Sequence, residues 1–311
     1  MPSLHGAEAS SPVDVVVVGG GPAGLTAATY LCRFHRSCLV LDAGDSRAKW
    51  IPESNNCPGF PNGVAGTELL RRMKAQAAGF GARFEDAEVD AIEHRDDGFV
   101  LSAGEKRWRA CCVILATGLA DKMPDVPWVE AAVACGALRL CSICDAYEAS
   151  DTRIGVYGPS DDIGAHGLFL RAYSGQVCLL PTDDGKGGDG MRDAIDAGVR
   201  VLTSGGRLDF DGKRCSYRCP DGETVVFDSI YPFMGSHTSA AIAAAAGAKL
   251  SESGEIVVDR DQMTGVRGLF AIGDVVSGLN QISVAVGQAA IAATRVNDML
   301  PFAPRDADAL P

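Results

Sequence analysis

Apolar positions along the chain fall into short β-branched runs, each stopped by glycine or aspartate and followed by a stretch with helical spacing. Asp14-Val15-Val16-Val17-Val18 is the first run, and it leads straight into Gly19-Gly20-Gly21-Pro22-Ala23-Gly24. Its continuous apolar character predicts a buried parallel strand that ends at a glycine turn. From Leu25 to Arg33 the pattern becomes helical and alanine-rich, and Ser37-Cys38-Leu39-Val40-Leu41 predicts a second strand ending on Asp42. The same plan recurs mid-chain: a strand over Arg153–Gly158, a helix over Ile163–Tyr173 and a strand over Gln176–Leu180. Later, Gly268-Leu269-Phe270-Ala271-Ile272 predicts a strand that runs into Gly273-Asp274, with a helix to follow from Ser283 to Asn297. The alanine run Ala240–Ala248 predicts one more helix. Alternation of strand and helix makes the class α/β, with the βαβ plan repeated.

Glycine spacing assigns a task to the first unit. Gly19-x-Gly21-x-x-Gly24 opens a helix at the end of a strand, where backbone N–H groups and the helix dipole hold a pyrophosphate. Asp42, eighteen residues after Gly24, suits an adenosine ribose and so favours FAD or NAD over a 2′-phosphorylated nucleotide. Asp274 is placed to bond a ribityl chain, or else caps an ordinary strand end. In the second unit the loop reads Gly158-Pro159-Ser160-Asp161-Asp162-Ile163, with Ser and Ile at the second and third glycine positions. Both changes obstruct close approach of a pyrophosphate, and the two acids repel one.

The strongest chemical signal is Cys141-Ser142-Ile143-Cys144-Asp145. Two thiols at this spacing exchange electrons with a disulfide, one attacking while the other waits to resolve the mixed disulfide. An acid directly behind the second sulfur offers a proton donor or acceptor. The bland alternative is a zinc half-site or two buried thiols. At 311 residues and 47% hydrophobic, the chain is long enough for two domains. Its net charge of −12 argues against nucleic acid or anionic lipid as partners. No stretch approaches a membrane span, and Met1–Pro12 reads as a loose polar tail rather than a signal peptide. Eleven cysteines lack the paired spacing of a secreted scaffold, which points to a reducing cytoplasm. Cys32, Cys38, Cys111, Cys112 and Cys178 read as core residues, while Cys215 and Cys219 stand in a turn-rich stretch without a zinc partner pair. His166 and His237 have no Cys or acid at ligand spacing, so no metal is expected.

Taken together, Gly19 to Gly24, the Asn56-Cys57-Pro58-Gly59 turn, Ala116-Thr117-Gly118, Cys141 to Asp145, and Gly273-Asp274 with Gln281 resemble the low-molecular-weight thioredoxin reductases. The resemblance spans nearly the whole chain. It implies two Rossmann-like three-layer domains, the FAD-binding one in two parts (residues 13–119 and 236–311) with a dithiol/nicotinamide-type domain (120–235) inserted. It further implies FAD bound by Gly19, Gly21, Pro22, Ala23, Gly24, Asp42, Asn56, Thr117, Gly118, Gly273, Asp274 and Gln281. Cys144 would face the flavin, Cys141 would attack the outside disulfide, and Asp145 would handle the proton. The inserted domain would turn on connections near Leu119–Pro127 and Pro232–Thr238, and the protein would be a homodimer acting on a thioredoxin-like protein.

Departures from the family pattern redirect that reading. Where NADPH-using members carry a basic cluster for the 2′-phosphate, this chain has Leu179-Leu180-Pro181-Thr182-Asp183-Asp184, so NADPH is not the expected electron source. Ala146-Tyr147-Glu148 behind the dithiol resembles a branch containing flavin-dependent dithiol oxidases and ferredoxin-fed thioredoxin reductases, both independent of NADPH. The expectation is an FAD-dependent dithiol/disulfide oxidoreductase that exchanges electrons with a thioredoxin-like protein or a small dithiol, with oxygen or ferredoxin as redox partner. The alternatives are a conventional NADPH-dependent reductase and a flavin-binding redox-sensing module.

Overall fold

The computed structural model describes residues 12–276, 278–302 and 304. Except for Pro12, the expected N-terminal tail lies outside the described residues. The chain divides into two compact units: one holds the chain up to Ser46, Leu70–Leu119 and the chain from Thr238 onward, the other Arg47–Leu69 and Ala120–His237. Sequence alone left Arg47–Leu69 with the first unit; by its contacts the segment groups with the second, and the division falls within the helix Gly66–Gly79.

Five parallel strands form the heart of the first unit, in the order Arg83–Asp86, Cys38–Asp42, Val13–Val18, Lys106–Leu115, Leu269–Ala271. Lys106–Leu115 is long enough to serve two neighbours along one edge. Its first half pairs antiparallel with Gly98–Ala103, itself paired with Ala91–Arg95, and its last residues pair with Leu269–Ala271. Side chains alternate across this sheet as strand geometry requires. Val15, Val17, Val40, Ile114 and Phe270 face the helices Pro22–Arg33 and Ile282–Met299, while Val16, Val18, Leu41, Leu115 and Leu269 fill the opposite core. Full burial of each such side chain is worth roughly 1.5–3 kcal/mol. Cys112 faces in and Cys111 faces out, so Cys111 is exposed and not a core residue as the apolar run suggested; the same alternation explains why.

The second unit carries a four-stranded parallel sheet ordered Arg200–Val201, Gln176–Pro181, Arg153–Gly158, Ser229–Pro232. Its helices include Ser160–Leu170 and Asp189–Asp196, which approach closely because Gly164 and Gly190 have no side chains. The first of these helices starts and ends three residues before the expected Ile163–Tyr173. Pro159 sets its entry, and Asp161 and Asp162 favour its first turn by opposing the helix dipole. A separate antiparallel sheet of Arg207–Phe210, Cys215–Arg218 and Thr224–Phe227 was not anticipated. The stretch read as turn-rich is its middle strand, with Cys215 and Cys219 buried. The alanine run is helical only over Ala241–Ala245 and stops near Gly247, whose φ of +94° breaks the helix. No described helix is long and apolar enough to cross a membrane.

Candidate active site

Strand register assembles the first part of the site. Val18 is level with Leu41 and with Leu115, and Leu115 with Ala271. Four loops therefore leave the sheet at one edge: Gly19–Gly24, Asp42–Gly44, Ala116–Gly118 and Gly273–Asp274. Ligands of open α/β sheets bind at such a carboxyl edge, where connections diverge. The glycines are needed sterically. A Cβ on Gly19, whose φ is +108°, would lie 2.3 Å from Ala116 O, and one on Gly24 would lie 2.0 Å from Gly19 O. Asp42 is tied down by Oδ1, which accepts from the Gly20 N–H at 3.0 Å and the Gly44 N–H at 3.1 Å.

Two helices start beside this edge. A Cβ on Gly273 would come within 3.0 Å of Ala23 Cβ and 3.8 Å of Ala285 Cβ, so Pro22–Arg33 and Ile282–Met299 begin close together. At their other ends Arg36 Nε donates to Asn297 Oδ1 at 2.8 Å. The helices thus run side by side in the same direction. Neither N-terminus has a side-chain cap or an acidic residue in its first turn, which leaves positive dipole ends and backbone N–H groups for an anion. Gln288 Oε1 accepts from the Gly273 N–H at 2.7 Å, and Thr117 Oγ1 is buried with no hydrogen-bond partner among the described residues. Gln281 is the N-cap residue of the later helix, and its Nε2 donates to Asn280 O at 3.0 Å. Asp274 lies in the 3-10 turn Gly273–Val275 and Gly118 adopts φ +66°. A glycine cradle, two uncapped helix starts and a buried hydroxyl awaiting a partner fit the phosphates and polar chain of a dinucleotide. Asn56 belongs to the other unit, where Ser54 Oγ donates to its Oδ1 at 3.2 Å.

In the second unit Cys141 and Cys144 are joined in a disulfide. Cys141 is the N-cap residue of the one-turn helix Ser142–Asp145, and its carbonyl accepts from the Cys144 N–H at 3.0 Å. That turn ends on Asp145, the residue after Cys144. Both carboxylate oxygens of Asp145 are engaged: Oδ1 accepts from the Tyr231 hydroxyl at 2.9 Å, and Oδ2 stands 3.1 Å from Arg139 Nη1. Burial pushes the Asp145 carboxyl up, opposed by the Arg139 charge and the bond from Tyr231. The Tyr231 phenol is pushed far up as well, by burial and then by the Asp145 charge. Neither Arg139 nor Tyr231 stands out in the sequence. Arg139 is a lone cation in Ala137-Leu138-Arg139-Leu140 just before Cys141, a usable signal; Tyr231 reads as one more apolar strand residue.

The second glycine-type loop has a different occupant. Gly158 is level with Pro181, which brings the ends of their strands together. Asp183 Oδ2 accepts from the Ser160 N–H at 3.3 Å, and its Oδ1 accepts from Ser160 Oγ at 2.6 Å and the Gly185 N–H at 2.9 Å. The chain's own carboxylate thus sits at the first turn of Ser160–Leu170, where a nucleotide phosphate would bind. These bonds, led by that from Ser160, hold the Asp183 carboxyl below its usual range. Among the described residues no group of three or more His, Cys, Asp and Glu could hold a metal ion, and the two sulfurs of the zinc half-site alternative are bonded to each other.

A dinucleotide cradle in one unit and a C-x-x-C disulfide in the other define the class, a nucleotide-cofactor-linked dithiol/disulfide oxidoreductase. The chain belongs to the pyridine nucleotide-disulphide oxidoreductase family, whose model matches residues 13–160 and 180–289. Family membership makes it a flavin disulfide oxidoreductase with FAD as its cofactor. The chain is 29% identical over 293 residues to a thioredoxin reductase of Treponema pallidum (strain Nichols), covering 90% of this chain and 94% of that one. It superposes on the crystal structure of HlmI with a TM-score of 0.85 at 28% identity, covering 94% of each chain. The thioredoxin reductase from Streptococcus pyogenes MGAS5005, at 24% identity, shares the fold with a TM-score of 0.85 over 93% of this chain and 98% of that one.

Proposed function

We propose that this oxidoreductase exchanges electrons between FAD and an external dithiol or disulfide through Cys141 and Cys144, without drawing on NADPH. The observation that carries the second half is the Asp183 carboxylate bonded to Ser160 at the start of the second βαβ helix. Asp161 and Asp162 in the same turn add negative charge. The family match also skips residues 161–179, the stretch that follows this loop. FAD, when bound, accepts or returns the electron pair carried by the dithiol. Gly19, Gly21, Pro22, Ala23, Gly24, Asp42, Thr117, Gly118, Gly273, Asp274 and Gln281 would hold it.

In the oxidising direction a substrate thiolate attacks Sγ of Cys141, the bond to Cys144 breaks, and Cys144 leaves as a thiolate. The second substrate sulfur then displaces Cys141 from the mixed disulfide. The substrate leaves with a new S–S bond, and its two protons end on the two cysteine sulfurs, one relayed by Asp145. By the family resemblance Cys144 is the sulfur that would pass the electron pair to FAD. The reducing direction is the reverse, with a thioredoxin-like protein or a small disulfide as substrate and ferredoxin as the electron donor, whereas in the oxidising direction oxygen is the final acceptor.

Anaerobic titration of the flavin-loaded protein tests this. Dithiothreitol bleaches the flavin, NADPH and NADH at micromolar concentration leave it oxidised, and Cys144→Ser keeps FAD while losing the exchange by more than about 1,000-fold. Rapid bleaching by NADPH overturns the second half. That outcome would favour the conventional thioredoxin reductase reading, which the name of the Treponema pallidum relative supports.

A further inference from the structure

Asp145 is held by a constellation built from two separated parts of the second unit. Arg139 comes from the segment leading into the dithiol, and Tyr231 from the strand Ser229–Pro232, eighty-six residues beyond Asp145. Backbone pairing sets the distance between them: the Arg139 N–H donates to Ile230 O at 3.0 Å, and Leu138 forms a parallel bridge with Ile230. Ser229 and Tyr231, two apart on that strand, point to the same face. Ser229 Oγ accepts from Arg139 Nε at 2.9 Å and donates to Gly136 O at 3.0 Å, which orients the guanidinium before it reaches Asp145. Tyr231 has no exposed surface, so its hydroxyl has little freedom to turn away. The groups facing the carboxylate are Arg139, Tyr231 and Glu148, of which Glu148 opposes its ionisation.

We propose that Arg139 and Tyr231 are positioning residues that grip the Asp145 carboxylate by its two oxygens and keep it ionised and aimed for proton transfer in thiol–disulfide exchange. The inference rests on the role given to Asp145 above. Asp145 is partly buried, and a cation and a donor at its two oxygens offset the cost that burial places on its charge. Without them burial would push the carboxyl further up and make it a poorer acceptor of a thiol proton. Arg139 is fixed from behind by Ser229, so the pair is preorganised rather than assembled during exchange.

The experiment is the pH dependence of anaerobic flavin reduction by dithiothreitol in the flavin-loaded protein, compared with Asp145→Asn, Tyr231→Phe, Arg139→Gln and Arg139→Lys. Asp145→Asn abolishes the acidic limb of the profile. Tyr231→Phe, which keeps the buried ring, and Arg139→Gln each move that limb up by about 1 pH unit or more, and Arg139→Lys restores most of the shift. Infrared titration of the Asp145 carboxyl, taken as the difference from Asp145→Asn, gives the same displacement independently of turnover. An altered limb in Asp145→Asn with none in Tyr231→Phe or Arg139→Gln overturns the inference alone. An unaltered limb in Asp145→Asn removes the proton role of Asp145 and this inference with it.

Discussion

The loops Gly19–Gly24 and Gly158–Ile163 occupy equivalent places in two βαβ units, after a buried strand and at the start of a helix, yet they treat an anion in opposite ways. In the first, the helix has no acid in its opening turn, and the nearby Asp42 carboxylate is held aside by the Gly20 and Gly44 amides. In the second, Asp183 reaches across from the neighbouring strand and takes the Ser160 amide and hydroxyl for itself, with Asp161 and Asp162 alongside. Both helix starts have the same dipole to satisfy. What differs is whether the chain supplies the anion or leaves the place to a cofactor. On the reading proposed above, a nucleotide fold serves as scaffold for a dithiol while a side chain takes the anion's place at its helix start.

Substitution at Gly24 breaks the first half of that comparison most severely. A Cβ there would lie 2.0 Å from Gly19 O, and overpacking of this kind costs about 1–3 kcal/mol. Gly24→Ala should weaken FAD retention by roughly 5- to 150-fold, read from the ratio of flavin to protein absorbance after gel filtration. The second half is sharpened by Asp183→Ala, which frees the Ser160 amide. NADH affinity should rise by several-fold in calorimetric titration, an increase limited by Asp161 and Asp162; an unchanged affinity would mean that the carboxylate is not the obstacle. The smallest effect is on stability. The folded-state pKa of Asp183 is lowered, so its stabilising contribution is present above the unfolded value and fades as pH falls through the folded one. Asp183→Asn should therefore melt slightly below the parent at pH 7, and the gap should close as pH drops below the ordinary aspartate range.

Strands and glycine loops were legible because their signals are local. The valine run, the turn and the first helix lie within about twenty consecutive residues, and Asp42 closes the pattern one strand later. Cys141 to Asp145 is likewise contiguous. The grip on Asp145 was not legible, since Tyr231 meets it only through the pairing of Leu138 with Ile230. Ser160 and Asp183 were each read as departures from a nucleotide-binding pattern. That they satisfy one another depends on the register that sets Gly158 beside Pro181. The sheet around Cys215–Arg218 was hidden because its short strands are polar on one side and punctuated by Asp211, Gly212 and Gly222.

The parallel helices Pro22–Arg33 and Ile282–Met299, tied by Arg36 to Asn297 and to Pro301 O, also impose an order on biosynthesis. As the polypeptide leaves the ribosome, every part of the inserted unit has emerged by His237, whereas Ala23, Ala27 and Leu31 still lack the alanine face that covers them. The dithiol unit is thus free to mature first. The first helix must wait, its apolar side open to chaperones, until Ile282–Met299 is translated, and such long-range closure is slow. Loading of the flavin then becomes a checkpoint on synthesis, reached only by chains translated through Ile282–Met299.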